Sequence, residues 1–116
     1  MDIRRIKPSE RSSAAVTYGN MVFLAGQVGA PGESVTTQTK ATLAKIDALL
    51  AEAGTDKSRL LQATIWLADI GDYEELNAVW NAWVVPGQPP ARATSEARLA
   101  TPDYKVEIIV TAAAGL

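Results

Sequence analysis

The spacing of apolar residues changes several times along this chain, and each change marks an element. Ile3 and Ile6 bracket charged residues in a short extended segment that Pro8 ends. Val16–Tyr18 and Met21–Ala25 flank Gly19-Asn20, a pair that accepts the positive φ of a two-residue turn, so the spacing predicts a β-hairpin. Its second arm, Met21-Val22-Phe23-Leu24-Ala25, is apolar throughout and reads as a central strand buried on both faces. Gly26-Gln27-Val28-Gly29 and a Pro31-Gly32 turn follow. Apolar residues then recur with helical period at Leu43, Ile46, Leu49, Leu50 and Ala53, with Thr39 and Thr42 continuing the face. Ser34 is placed to cap the start of that helix and Gly54 to stop it. Between Leu60 and Ala68 the period falls to two, with Ala63, Ile65 and Leu67 on one face and Thr64 and Trp66 on the other.

Asp72 opens a second helix, with Glu75 at the spacing of a capping box and Leu76, Val79, Trp80 and Trp83 as its apolar stripe. Pro86-Gly87 ends it, and two strands follow, Arg92–Leu99 and Lys105–Ala112, parted by a Thr101-Pro102-Asp103 turn. Strands, helix, strand, helix, strands describe an α+β domain: a mixed sheet with both helices on one face. The second face then needs a cover, and another copy of the chain is the simplest one. With 116 residues the chain is expected to be a single domain, 1–116. A domain of that size does not enclose a deep private cavity, so a roomy site is expected to borrow walls from a neighbour.

Composition narrows the chemistry. A hydrophobic share of 47% against 21% charged residues is that of a folded globular chain. The net charge is −2, and the basic residues are dispersed apart from Arg4, Arg5 and Lys7, which argues against nucleic acid or an anionic membrane as partner. Cysteine and histidine are both absent, which excludes disulfides, thiolate nucleophiles and zinc–thiolate sites and removes the usual general base. No cluster of Asp and Glu suggests a metal, so no cofactor is expected. The start, MDIRRIKPSE, is too polar for a signal peptide, and no run nears the roughly 20 apolar residues of a membrane span. Cytoplasmic residence is the expectation.

Among single residues, Arg92 stands out because it begins a strand directly after the stiff Pro89-Pro90-Ala91 segment. Arginine's planar fork matches a carboxylate two-to-two and stays charged at physiological pH. The plain alternative is a structural ion pair with Glu96 or Glu107. Glu107 lies in the alternation Lys105-Val106-Glu107-Ile108, where a half-buried carboxylate could orient or deprotonate water. Its plain alternative is a strand-surface pair with Lys105 or Arg98. Trp66, Trp80 and Trp83 could wall an apolar pocket or simply fill the core, and Gly26 and Gly29 are wrongly spaced for a phosphate loop. Without His or Cys there is no catalytic triad.

Several segments taken in order resemble one family. They are Gly19-Asn20-Met21, Leu24-Ala25-Gly26-Gln27, Gln38-Thr39, Ala53-Gly54, Asp69-Ile70, Asp72-Tyr73 leading to Asn77, Pro90-Ala91-Arg92, Glu96 and Lys105-Val106-Glu107. From about Ser12 to Ala113 the chain is similar to the Rid family, the reactive-intermediate imine and enamine deaminases once called L-PSP endoribonucleases. The resemblance implies a chorismate-mutase-like fold and a homotrimer with sites in the clefts between subunits. It implies that Arg92 grips a substrate carboxylate, that Glu107 positions the attacking water, and that Gly26 and Asn77 line the pocket. It also implies departures, because the family's pocket tyrosine, serine and cysteine fall on Ser12, Ala25 and Thr94, and Trp80 and Trp83 bring bulk near the site. The reaction implied is cofactor-free hydrolysis of a small 2-enamine or 2-imine acid to a 2-keto acid and ammonia. A non-enzymatic binder of a small carboxylate-bearing metabolite is the other reading, and the acidic charge disfavours an endoribonuclease.

Overall fold

The computed structural model describes residues 1–115. Six strands form one mixed sheet: β1 (Ile3–Pro8), β2 (Ser13–Tyr18), β3 (Met21–Leu24), β4 (Leu60–Leu67), β5 (Ala91–Glu96) and β6 (Val106–Ala113). They lie side by side in the order β1-β2-β3-β6-β4-β5. Only β4 and β5 run parallel, and the helix between them, α2 (Tyr73–Trp83), is the crossover that a parallel pair needs. The longer helix α1 (Val35–Glu52) crosses from β3 to β4, and β6 slots between those two strands from the C-terminal end. Both helices cover the same face of the sheet, as the order of elements predicts.

The core between helices and sheet contains the residues whose periods defined the elements. Leu43, Ile46 and Leu50 of α1 and Leu76 of α2 meet Ala63, Ile65, Leu67, Val106, Ile108 and Val110 of the central strands, all buried. Each large aliphatic side chain buried here contributes about 1.5–3 kcal/mol relative to exposure. Three polar side chains of α1 share the core. Gln38 ties the helix start to the β5–β6 connection: its amide donates to the Asp103 carbonyl at 2.9 Å and accepts from the Lys105 N–H at 2.8 Å. The Thr39 hydroxyl returns to the Val35 carbonyl, and Thr42 is buried beside them.

Local chemistry sets the helix ends, with one difference from expectation. Ser34 caps α1 through the Thr37 N–H, and Gly54 leaves the helix at φ +84°. Asp72 and Glu75 do not form a capping box. A 3₁₀ turn at Ile70–Asp72 runs straight into α2 and supplies the Ile70 carbonyl to the Tyr73 N–H, and the Asp72 side chain makes no capping bond. Glu75 instead reaches across to α1, accepting from the Thr36 N–H at 2.9 Å and the Thr36 hydroxyl at 2.8 Å. A carboxylate of one helix thus satisfies the positive N-terminal end of the other.

Two strand expectations also change. The β3 arm is buried on one face only, because Val22 and Leu24 point under the helices while Phe23 is 44% exposed. The strand that begins near Arg92 stops at Glu96, where the chain turns away and the Glu96 carboxylate accepts the Ile70 N–H at 3.0 Å. The face without helices carries Val16, Tyr18, Met21, Phe23, Trp66 and Ile109, an apolar surface of a kind that monomers rarely leave in water. Among the described residues no helix is long and apolar enough to cross a membrane.

Candidate functional site

The parallel β4–β5 ladder aims Arg92. It stands beside Ala63, and Thr94 beside Ile65, so both side chains lie on the helix-covered side of the edge strand. There the guanidinium meets α2: Nη2 donates to the Tyr73 hydroxyl at 3.2 Å, and the group sits 5.8 Å from the Tyr73 ring and 5.5 Å from the Trp80 ring. Aromatic faces attract a guanidinium, and a group that stays charged at any working pH can be held this way without being neutralised. No ion pair with Glu96 or Glu107 forms among the described residues, which leaves the outer edge of the fork uncommitted. Arg92, Thr94, Tyr73 and Ile70 line an open depression of about 420 Å³. Asn77 is one turn from both Tyr73 and Trp80 on the same side of α2. Asn77 Oδ1 and Thr94 Oγ1 are buried and find no partner among the described residues.

Glu107 lies elsewhere. It alternates with Val106 and Ile108, which are buried under the helices, so its carboxylate emerges on the opposite face of the sheet. Trp66 stands directly across from it in the β4–β6 ladder. Gly26 lies so close that a Cβ there would collide with the Glu107 carboxylate. The approach is made by a bulge. Between the pairs Phe23↔Thr111 and Gln27↔Ile108, the first strand advances four residues (27 − 23) while β6 advances three (111 − 108). Burial raises the Glu107 carboxyl above its ordinary value of 4.5, since water solvates the charged form less well there. No ion pair to Lys105 or Arg98 forms among the described residues.

The remaining expected residues fall on one side or the other. Ala25 joins the Glu107 side, its N–H donating to the Ala14 carbonyl at 2.9 Å. Ser12 belongs to the same end of the sheet but is exposed in the β1–β2 turn, where its carbonyl accepts from Ser9. Trp83 turns away from the Arg92 depression. Its indole N–H donates to Asp47 of α1 at 3.0 Å, and the Lys57 ammonium sits 5.1 Å from its ring. In the sequence Tyr73 stands only within the run leading to Asn77. Its helical spacing to Asn77 and Trp80 was the available signal that it faces Arg92.

One chain therefore presents the expected residues as two groups on opposite faces of its sheet. Arg92, Tyr73, Asn77 and Thr94 form one, and Glu107, Gly26 and Ala25 form the other. Within a chain they cannot grip one small molecule together.

Comparison with known proteins supplies the context. The family model described as Endoribonuclease L-PSP matches residues 2–114. A RutC family protein of Haemophilus ducreyi is 46% identical over 112 residues, covering 96% of each chain. The Reactive Intermediate Deaminase A of Arabidopsis thaliana chloroplasts is 33% identical over 103 residues, which is 83% of this chain and 54% of that protein. The crystal structure of a YjgF-family protein from Neisseria meningitidis superposes with a TM-score of 0.98 at 49% identity, covering 100% of this chain and 98% of the other. The α+β arrangement of helices and mixed sheet is the one these structures share.

Proposed function

The chain belongs to the endoribonuclease L-PSP family, also called YjgF or Rid, and from that premise we propose that it hydrolyses small 2-imine and 2-enamine carboxylic acids to 2-keto acids and ammonia. The observation that carries the reading is the division of the site. Arg92 and Glu107, neither of them in an ion pair among the described residues, sit on opposite faces of one sheet. They become one site where the apolar sheet face of one copy meets the edge of the next, as in a homotrimer closed through that face.

In such a cleft Arg92 pairs with the substrate carboxylate while Tyr73 and Trp80 keep the guanidinium from swinging. An enamine first tautomerises to its imine, whose carbon is electrophilic enough to need neither a metal nor a covalent nucleophile. Glu107 orients a water and takes one of its protons as the C–O bond forms, giving a carbinolamine. The same proton then goes to the nitrogen, and as the C–N bond breaks the carbinolamine hydroxyl gives up its own proton to the freed Glu107 carboxylate, so that a 2-keto acid and ammonia leave. A carboxylate whose proton affinity burial has raised is the better base for this step. The absence of His and Cys is compatible with the chemistry.

Imino acids generated in situ by an amino acid oxidase test the reading, with imine loss followed against the uncatalysed rate. Arg92→Lys and Glu107→Gln variants should each lose the acceleration. Refolded together at equal amounts they should recover about a quarter of it, because about one cleft in four then combines an intact Arg92 from one copy with an intact Glu107 from the next. Activity that never exceeds the sum of the separate variants would show that the halves do not meet across copies. If the unmodified protein gives no acceleration while 2-ketobutyrate binds in an Arg92-dependent way, the protein is a carboxylate binder instead.

A further inference from the structure

A second concavity lies on the far side of the helices from the sheet, in the groove between α1 and α2. Its volume is about 550 Å³, within the range of small-molecule sites. The floor is Leu43, Ala44, Ala78, Val79, Ala82 and one side of Trp83. The groove exists because Ala44, Ala78 and Ala82 are small where the two helices would otherwise fill the space between them, and all three are exposed. Association through the apolar sheet face, which is on the other side of the molecule, leaves this groove open.

The charges along its rim are unequally committed. Asp47 Oδ2 already accepts from the Trp83 indole, and Glu75 Oε2 accepts two hydrogen bonds from Thr36. Lys57 donates to the Trp83 carbonyl at 2.7 Å and lies over the indole, with donors to spare. The Lys40 ammonium has no hydrogen bond or ion pair among the described residues. The groove therefore offers an apolar floor with an indole wall, two carboxylates each with one oxygen already hydrogen-bonded, and ammonium groups that retain capacity.

We propose that the α1–α2 groove is a second ligand site, taking a small amphiphilic anion: one carboxylate on a flat aromatic or branched apolar body. The apolar body lies on Val79 and the alanines against Trp83, and the carboxylate meets Lys40 at the rim. This site is separate from the Arg92 depression, although Trp83 packs at 5.3 Å on Trp80, which faces Arg92 from the other side.

The test titrates 1-naphthylacetate into the intact protein, reading amide and indole shifts in ¹H–¹⁵N spectra together with tryptophan fluorescence. Saturable shifts should gather on α1, α2 and the Trp83 indole. Ala82→Leu fills the groove at an exposed helical position where leucine is well tolerated, and should weaken binding at least about tenfold, the loss of a few buried methylenes. Lys40→Glu and replacement of the probe by the neutral 2-(1-naphthyl)ethanol should each weaken it about threefold or more, as expected for one partly exposed charge pair. Arg92→Lys should leave it unchanged. Four outcomes overturn the proposal: no saturable shifts, indifference to Ala82→Leu, equal affinity for the neutral alcohol, or loss in Arg92→Lys. Equal affinity for the alcohol would mark an apolar strip for another protein's side chains, and loss in Arg92→Lys would place the probe in the anion site.

Discussion

The edge where α2 overlies β5 and the open face around β6 solve opposite problems of charge. At the edge, Arg92 carries a charge that no working pH removes, so aromatic rings and a single hydroxyl can surround it while its outer donors stay free. On the open face, Glu107 carries a charge that its surroundings control, and partial burial beside Trp66 and Gly26 makes it hold its proton more firmly. The first arrangement suits binding, because it is insensitive to conditions. The second suits proton transfer, because a base works best when its proton affinity approaches that of the medium. Placing them on opposite faces keeps guanidinium and carboxylate from neutralising each other within one chain.

The sharpest way to break this division is Glu107→Gln. It should cut imine hydrolysis by about 10²–10⁴-fold, the usual contribution of a positioned acid–base group, while 2-ketobutyrate affinity measured by calorimetry stays the same. A matching loss of affinity would mean that Glu107 binds and the division is false. Gly26→Ala is expected to lower the hydrolysis rate about tenfold. Its Cβ displaces a flexible carboxylate, so the melting temperature should move little, whereas a large drop would place Gly26 in the fold and not in the site.

Tyr73→Phe keeps the ring under the guanidinium and removes only the hydroxyl. It should weaken 2-ketobutyrate by a few-fold, about 0.5–1.5 kcal/mol for one hydrogen bond, and leave the rate at saturating substrate unchanged. A lower saturating rate with the same affinity would move Tyr73 to the catalytic half. The smallest effect is on pH. Because the folded Glu107 carboxyl titrates above its ordinary 4.5, the folded state binds more protons than the unfolded one in the window just above that value. Stability from this group is therefore full below that value and lost as pH rises through the folded titration. Activity should show the mirror image, failing as pH falls through the same point. Glu107→Gln should flatten both profiles, and an acid limb at or below 4.5 would remove burial as the control.

Much of this is legible in the sequence. Leu43, Ile46 and Leu50 announced α1, and Gly19-Asn20 announced the hairpin, because helical period and turn preference are properties of neighbouring residues. Arg92 and Glu107 could be singled out for the same reason, each by its type and its place in a strand. The contact of Tyr73 with Arg92, the place of Trp66 beside Glu107 and the true partner of Glu75 could not. Tyr73 serves Arg92 across 19 residues, Trp66 meets Glu107 across a strand pair, and Glu75 caps a helix that begins 40 residues earlier.

By itself, then, the sequence determined the elements, the α+β class and the two residues, Arg92 and Glu107, on which the proposed chemistry rests. Which way those residues face was decided only by the tertiary structure. Alternation says that Arg92 and Thr94 share one side of β5, and that Glu107 shares a side of β6 with Ile109, but not which side lies under the helices. Strand order and register settle that, and they are set by pairings between segments far apart in the chain, where a shift of one residue would exchange the two faces.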